Sequence, residues 1–265
     1  MVFSKAEVEQ FIEDGFVILR RAFPREMAED CRRFLWDYIG SWQNCRTDAQ
    51  AKIAISAGFH EPPFDPVLTP RMSEAFDQIA GRGRWVGSGR HFLQDASGGG
   101  QWIQIGYGFW HILLPGFPGP GGWHIDHLNT GHQGLVRLCL FSDIGPDDGG
   151  TPMVRGSHKE VARAGGAEVL SGMAPRVGLW KRLKEASLLD PDPRRIVHVT
   201  GEAGDVALMH PLLVHGFGPN RGNRIRFACN PLLPLTEPIR LERSDGDYSA
   251  IEEAIRRAAW QSREL

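Results

Sequence analysis

Residues 101–235 consist of short apolar runs that Gly, Pro, Asp and Asn interrupt at close intervals. The chain has 32 Gly and 18 Pro, and most of these runs follow one another without the intervening helical pattern of a βαβ unit. This spacing is typical of a β-sandwich or barrel. We interpret five runs as strands: "QWIQIGYGFWHILL", "LVRLCLFSDI", "RIVHVTG", "DVALMHPLLVHGF" and "RIRFACNPLL".

Helical patterns flank this β-rich part. Ser4 and Glu7 have the spacing of a capping box that opens a short helix, and Gly15 is placed to end it. The run "FVILRRAF" follows as a strand, and a second helix begins at Pro24. We therefore predict one domain over residues 1–265, with a helical part over about 1–56, a β core over about 100–235 and a C-terminal helix over about 247–263.

Two segments lie outside the predicted strands. Residues 57–70, "AGFHEPPFDPVLTP", are rich in proline and predict a long surface loop. Residues 159–193 interrupt the strands with a segment that we expect to be partly helical. Because binding residues concentrate on such segments, we expect both to flank the mouth of a pocket.

Charge and composition exclude several classes of partner. A formal net charge of -2 provides no basic stripe for nucleic acid. No run of 18 apolar residues indicates a membrane span, and the N-terminus carries charges where a signal peptide is apolar. The four scattered cysteines are typical of a reduced, cytoplasmic protein. We therefore expect a cytoplasmic protein with a small-molecule partner, while its oligomeric state stays open.

The stretch "GGWHIDHLNTGH" has the composition of a metal site. Side chains two residues apart on a strand project from the same face, so His124 and Asp126 can direct a nitrogen and an oxygen at one point. A catalytic metal requires a third protein ligand. The segment "GDVALMHPLLVHGFGPNRGNRIRF" offers His210 and His215.

The same segment contains a pair of arginines, Arg224 and Arg226, on one face of the next predicted strand. We expect a hairpin to bring this face back alongside the histidines. A buried guanidinium favours a carboxylate partner, bound through two hydrogen bonds. Two His, one Asp and an Arg match the facial triad of non-haem Fe(II) oxygenases, which leaves three coordination positions open.

Four segments of the chain resemble the phytanoyl-CoA dioxygenase family of Fe(II)/2-oxoglutarate oxygenases. They are "EVEQFIEDGFVILRRAF", "WHIDH", "GPDDGGTPMVRGSHK" and the segment that holds the distal histidines. In this family the distal iron His precedes the 2-oxoglutarate Arg by eleven residues, which selects His215 and Arg226 here. The resemblance implies a double-stranded β-helix, a cupin-like jelly roll, with N-terminal helices packed outside.

The resemblance also implies the cofactors and the reaction. Fe(II) would be held by His124, Asp126 and His215, with 2-oxoglutarate and O2 as cosubstrates and Arg226 at the distal carboxylate of 2-oxoglutarate. The implied reaction oxidises a C–H bond of a small molecule and converts 2-oxoglutarate to succinate and CO2. A second polar group should reach the other carboxylate, and the candidates are Gln104, His111 and Thr130.

The primary substrate is left open, because relatives oxidise many classes of molecule. Arginines near the rim would suit an acidic group: Arg155, Arg176 and Arg182. The candidates for lining the substrate pocket are Trp123, His127, Arg155 and Trp180. The main alternative function is a cupin-like metal-dependent isomerase or hydrolase without 2-oxoglutarate, which would have no use for Arg226. A halogenase would lack the carboxylate of Asp126, and a non-enzymatic relative would have a broken triad.

Overall fold

The computed structural model describes residues 1–41, 52–55, 59, 62–64, 68–87, 89–94, 100–108, 110–119, 121–126, 132–174 and 177–260. The α-helices are α1 (Lys5–Asp14), α2 (Arg25–Ser41), α3 (Pro70–Ala80), α4 (Ser157–Val161), α5 (Ala167–Leu170), α6 (Leu179–Glu185) and α7 (Ala250–Trp260). The strands are β1 (Phe16–Leu19), β2 (Lys52–Ile55), β3 (Gly89–Gln94), β4 (Gly100–Ile105), β5 (Trp110–Leu113), β6 (Gly121–His124), β7 (Gln133–Leu140), β8 (Pro152–Val154), β9 (Ile196–His198), β10 (Val206–Met209), β11 (His215–Phe217), β12 (Arg226–Cys229) and β13 (Leu232–Pro234).

The strands form two antiparallel sheets and a separate ribbon. The larger sheet has the order β1-β10-β7-β12-β5-β2, and β13 also pairs with β7. The smaller sheet has the order β6-β11-β8-β9, and β3 pairs with β4 in the ribbon. The chain passes repeatedly from one sheet to the other, as in a jelly roll. The predicted double-stranded β-helix is confirmed.

Strand β7 shows how the sheets and the helices share one interior. All eight of its residues are buried. Val136 and Leu138 pack in one apolar cluster with Met153 of the smaller sheet. Leu135 and Cys139 pack in a second cluster with residues of α1, α2 and α3. The larger sheet therefore has an inner face toward the smaller sheet and an outer face covered by helices.

The start of the chain folds as its sequence predicts. The Ser4 hydroxyl accepts a hydrogen bond from the Glu7 N–H (3.3 Å), and the Glu7 carboxylate accepts one from the Ser4 N–H (2.7 Å). Gly15 ends α1 with a φ of 86°, a left-handed conformation that favours glycine. β1 then pairs with β10, with Phe16 opposite Met209, so the chain enters the larger sheet directly after Gly15.

Two predictions about chain segments are wrong. The run that begins at residue 101 is divided into β4 and β5, and between them Tyr107 forms an isolated bridge with Phe59. The segment 57–70 is not simply a surface loop, because Phe59 and Phe64 are buried in the aromatic core. The free energy gained by burying their apolar rings outweighs the preference of the neighbouring prolines for an exposed loop. The segment leads into α3, which the sequence pattern did not predict and whose first turn is capped by Thr69.

The predicted N-terminal helical part also contains strands. The region before residue 56 contributes β1 and β2 to the larger sheet in addition to its helices. α7 lies inside the predicted C-terminal helix, whose residues beyond 260 are outside the described part. The single-domain organisation stays a prediction. Among the described helices, none combines the length and the apolar character required to cross a membrane.

Glu252 is the central acceptor of a buried polar cluster at the start of α7. Its carboxylate accepts hydrogen bonds from Arg243 Nη2 (2.7 Å) and from the N–H groups of Arg240 and Ser249 (2.9 Å each). The Ser249 hydroxyl accepts one from the Glu252 N–H (3.3 Å), which completes a capping box. Burial by itself would raise the pKa of Glu252, but these donors outweigh it and the pKa is lowered.

We expect Glu252→Ala to lower the free energy of unfolding by about 3–5 kcal/mol, because it leaves Arg243 buried without its main partner. The pKa of Glu252 is lower in the folded protein than in the unfolded chain. Its contribution to the free energy of unfolding is therefore present above about pH 4.3 and is lost as pH falls through the native pKa. Urea unfolding across this pH range measures both effects. The exposed Glu242→Ala is the matched control, and an equal loss in both variants would contradict the assignment.

Candidate active site

Three side chains with metal-binding atoms meet at one end of the smaller sheet. His124 is the last residue of β6 and His215 the first of β11, and the two lie opposite each other in the antiparallel pair. The Nε2 atoms of His124 and His215 lie 3.5 Å and 3.4 Å from the two carboxylate oxygens of Asp126. One ligand atom from each residue falls within 4.8 Å of the others. The strand register therefore assembles the triad.

Asp126 reaches this point from just beyond the strand. β6 ends at His124, so the two residues are not on one regular strand as the sequence pattern predicted. The carbonyl of Asp126 instead accepts a hydrogen bond from Gln133 Nε2 (2.6 Å), at the start of β7. This hydrogen bond links the backbone of Asp126 to the larger sheet.

The histidine rings are oriented by backbone carbonyls. Nδ1 of His215 donates to the carbonyl of Leu213 (3.0 Å), and Nδ1 of His124 donates to that of Gly122. These bonds direct both Nε2 atoms at the carboxylate, the arrangement found around protein-bound metals. Nε2 of His215 is buried and has no hydrogen-bond partner. A buried nitrogen without a partner fits a divalent metal ion.

The charges of the triad stabilise one another. Burial alone would raise the pKa of Asp126, but the imidazoles of His215 and then His124 beside its carboxylate outweigh it and hold the pKa well below the ordinary aspartate value. Burial alone would lower the pKa of His215, but the charge of Asp126 reverses the effect and raises it. A divalent cation bound among the three groups would take the place of a proton on the His215 imidazole.

Arg226 is a buried guanidinium close to the triad. The residue is 2% exposed, Nη2 donates to Thr151 Oγ1 (2.6 Å), and Nη1 donates to the carbonyl of His111 (3.2 Å). Its Nε atom has no hydrogen-bond partner, and none of the ion pairs within the described part of the chain involves Arg226. Burial lowers its pKa to about 10, so it stays charged at neutral pH without a carboxylate.

Arg224 has a different environment. Its side chain is 54% exposed and forms an ion pair with Asp148. The predicted hairpin that would present both arginines to the histidines is wrong, because β11 belongs to the smaller sheet and β12 to the larger one. Asn220 stabilises this crossing by donating to the carbonyls of Leu113 (3.0 Å) and Arg224 (2.8 Å). Arg226 therefore comes close to the site from the opposite sheet.

A cavity of about 240 Å³ opens beside the triad. Its walls combine two triad residues with side chains from both sheets and from α6: His111, His124, Ile125, Asp126, Trp180, Asn230 and Leu232. Burial, followed by the charges of Arg226 and Lys52, lowers the pKa of His111 to about 3. His111 is therefore neutral at pH 7, and its buried Nδ1 has no hydrogen-bond partner.

The other site residues predicted from the sequence are dispersed. Trp180 lies in the cavity wall. Trp123 precedes His124 on β6, so it faces the other side of the sheet, where its ring packs on Gly216. Arg155 lies next to Asp14 of α1 (3.4 Å) and is not among the cavity residues. The remaining candidates fall outside what the structure describes: Thr130, His127 and the side chain of Gln104.

Comparison with known proteins agrees with this geometry. The sequence profile of the phytanoyl-CoA dioxygenase family matches residues 11–228. The chain belongs to the phytanoyl-CoA dioxygenase family. The matched region includes all three triad residues and Arg226, and membership places the chain in the class of 2-oxoglutarate-dependent oxygenases. No curated protein sequence matches the chain.

Solved structures share the fold at low sequence identity. HygX from Streptomyces hygroscopicus, with nickel, 2-oxoglutarate and hygromycin B bound, is 16% identical, with 93% of this chain and 96% of that chain covered and a TM-score of 0.52. The non-haem monooxygenase ThoJ in complex with nickel is 18% identical, with 97% and 99% covered and a TM-score of 0.52. The 2-oxoglutarate-dependent carbocyclase SnoK is 15% identical, with 88% and 84% covered and a TM-score of 0.50.

Several residues near the site were not predicted from the sequence as members of the site, among them Asn230, Leu232 and Ser157. Asn230 and Leu232 follow β12, where a strand pattern alone does not indicate a cavity. The hydroxyl of Ser157, the first residue of α4, accepts a hydrogen bond from the N–H of Val214 (2.9 Å), next to His215. The only signal for Asn230 was its position two residues beyond Ala228, on the same face of the strand as Arg226.

Ser157→Ala should destabilise the protein by about 1–3 kcal/mol, because the buried N–H of Val214 loses its acceptor. The same change frees the backbone beside His215, so affinity for Ni²⁺ should fall while Ser157→Thr restores it. Thermal unfolding and calorimetric titration with Ni²⁺ measure the two effects. If Ser157→Ala loses stability but binds Ni²⁺ as tightly as the wild type does, the hydrogen bond has no role in positioning His215.

Proposed function

We propose that this member of the phytanoyl-CoA dioxygenase family is an Fe(II)/2-oxoglutarate-dependent dioxygenase. It oxidises a C–H bond of a small molecule, as in a hydroxylation, with O2 as the oxidant: one oxygen atom enters the substrate and the other enters the succinate that forms, with CO2, from 2-oxoglutarate. The observation that carries this proposal is a cluster of two histidines and one aspartate on the smaller sheet, together with a buried arginine on the larger sheet that has no carboxylate partner within the described residues. The arginine is what distinguishes it from the alternative of a metal-dependent isomerase or hydrolase.

The donor set is the first support. Two imidazole nitrogens and one carboxylate suit Fe(II) and leave coordination positions open for other molecules. His124, Asp126 and His215 would hold the metal, and when bound, Fe(II) supplies the redox chemistry that amino acid side chains lack. The carboxylate of Asp126 also argues against halogenation, because relatives that halogenate have a small residue in its place.

The second support is the environment of the arginine. A dicarboxylic acid such as 2-oxoglutarate would satisfy Arg226 with a bidentate ion pair. The hydroxyl of Thr151 holds one guanidinium nitrogen, and the carbonyl of His111 holds another, so the guanidinium is oriented before the ligand arrives. HygX binds 2-oxoglutarate and nickel within the same fold.

The cavity would provide the dry environment in which the substrate is held for reaction. Its apolar walls, from Ile125, Trp180 and Leu232, would exclude water from the metal and hold the substrate carbon at reacting distance. The neutral imidazole of His111 lies at the same cavity and is suited to hydrogen bonding with a ligand there. We propose it, in preference to Gln104 and Thr130, as the second polar contact of 2-oxoglutarate.

The metal assignment predicts about one Fe(II) per chain. His215→Ala should abolish binding of Fe(II) under anaerobic conditions, and of Ni²⁺ as its stable substitute, while circular dichroism shows the fold retained. His210→Gln is the matched control, because His210 is equally buried but lies outside the triad. Loss of metal in the His210 variant with normal binding in the His215 variant would overturn the assignment.

The cosubstrate assignment predicts a large effect at one of two neighbouring arginines. Arg226→Gln should raise the dissociation constant for 2-oxoglutarate by about 30-fold or more, because it removes a buried charge pair worth about 2–5 kcal/mol. Arg224→Gln, at a half-exposed guanidinium that pairs with Asp148 instead, should leave it within about twofold. Calorimetric titration of the Ni²⁺-loaded variants measures both constants, and equal effects would rule out this placement.

A further inference from the structure

The side chain of Asn230 contains an unused hydrogen-bond acceptor in the cavity wall. The residue is 8% exposed, and its buried amide oxygen has no hydrogen-bond partner among the residues that the structure describes. Such an atom costs free energy unless a ligand satisfies it. Because Asn230 lines the cavity beside the triad, a molecule bound there is placed to supply the missing donor.

The position of Asn230 separates it from Arg226, the proposed contact of the distal carboxylate of 2-oxoglutarate. Arg226, Ala228 and Asn230 alternate along β12 and its continuation, so they share one face. Two residues advance the strand by about 6.6 Å and four by about 13 Å. Ala228 lies opposite His111, which puts His111 between the other two. Arg226 does not line the cavity, whereas Asn230 does, so Asn230 faces the space that remains for another molecule.

The other walls of this space are apolar and uncharged. Trp180 contributes an indole from α6, while Leu232 and Ile125 contribute aliphatic side chains. Apart from the triad carboxylate and the imidazoles of His111 and His124, the cavity residues that the structure describes have no ionisable side chain. Two of the three rim arginines expected to recognise an acid have other partners: Arg155 lies beside Asp14 (3.4 Å), and Arg182 Nε donates to the carbonyl of Ala164 (2.8 Å). Arg176 lies outside the described residues.

We propose that Asn230 and Trp180 form the binding site for the primary substrate. The reacting part of that substrate is uncharged, packs an apolar ring or chain against Trp180 and Leu232, and donates one hydrogen bond from a hydroxyl or N–H group to the Asn230 oxygen. An anionic group would meet no basic side chain in this wall and would lie near the acceptor oxygen. This inference rests on the proposed function, which defines the cavity as the place of oxidation.

The test uses three probes that differ at one group: benzyl alcohol, benzyl methyl ether and benzoate. The protein is loaded with Zn²⁺ and 2-oxoglutarate, which prevents turnover, and dissociation constants are measured by ligand-observed NMR. Benzyl alcohol should bind about tenfold more tightly than either of the other probes, since only it is both neutral and a donor. Equal binding of the ether, or tighter binding of benzoate, overturns the proposal.

Two variants separate the hydrogen bond from the apolar contact. Asn230→Leu has a similar volume and should remove the preference for the alcohol over the ether, and Asn230→Ala serves the same purpose if the leucine variant does not fold. Trp180→Ala should weaken the alcohol and the ether to a similar degree. A preference for the alcohol that survives both Asn230 variants overturns the proposal.

The same samples distinguish failure of this inference from failure of the proposed function. Asn230→Leu should bind 2-oxoglutarate with the affinity of the wild type, measured by calorimetry on the Ni²⁺-loaded protein. If 2-oxoglutarate binding is lost in this variant, Asn230 belongs to the cosubstrate site and the inference is wrong, while the function stands. If the wild type does not bind 2-oxoglutarate, the function is wrong, and probe binding to the Zn²⁺-loaded protein still decides the role of Asn230.

Discussion

The site depends on burial of both faces of the larger sheet. β7 and its neighbours pack apolar side chains outward against α1, α2 and α3 and inward against the smaller sheet. Because a one-residue slip would exchange these two faces, the register of the sheet is strongly specified. The inner face can then hold a few polar groups at fixed positions. Arg226 and His111 occupy adjacent strands of that face, opposite the strand pair that carries the triad histidines.

Much of this arrangement could be predicted from the sequence. The HxD pair, the distal histidine and the arginine eleven residues later are local patterns, and the resemblance selected His215 and Arg226 where composition left His210 and Arg224 as equals. The structure separates these pairs by their surroundings, since Arg224 is paired with Asp148 at the surface and Arg226 is buried. A local sequence pattern is enough to predict a site residue when both the side-chain chemistry and the spacing match those of the family motif.

The rest could not be predicted because it depends on contacts between distant segments. Periodicity cannot tell a hairpin from a crossing between sheets, so the predicted route of the chain from β11 to β12 was wrong. Trp123 and Trp180 were equivalent candidates in the sequence, but strand alternation turns the first away from the cavity and α6 brings the second into it. The buried positions of Phe59 and Phe64 among prolines likewise depend on partners such as Tyr107.

The unpaired charge of Arg226 has a consequence for the protein as a whole. A buried guanidinium without an anion makes the empty protein less stable than its packing alone would allow. Under the proposed function, 2-oxoglutarate supplies that anion and binds only the folded chain, so each tenfold increase in its concentration above the dissociation constant adds about 1.4 kcal/mol to the free energy of unfolding. The cosubstrate then acts as a structural component, and the resistance of this protein to heat and proteolysis follows the supply of a central metabolite.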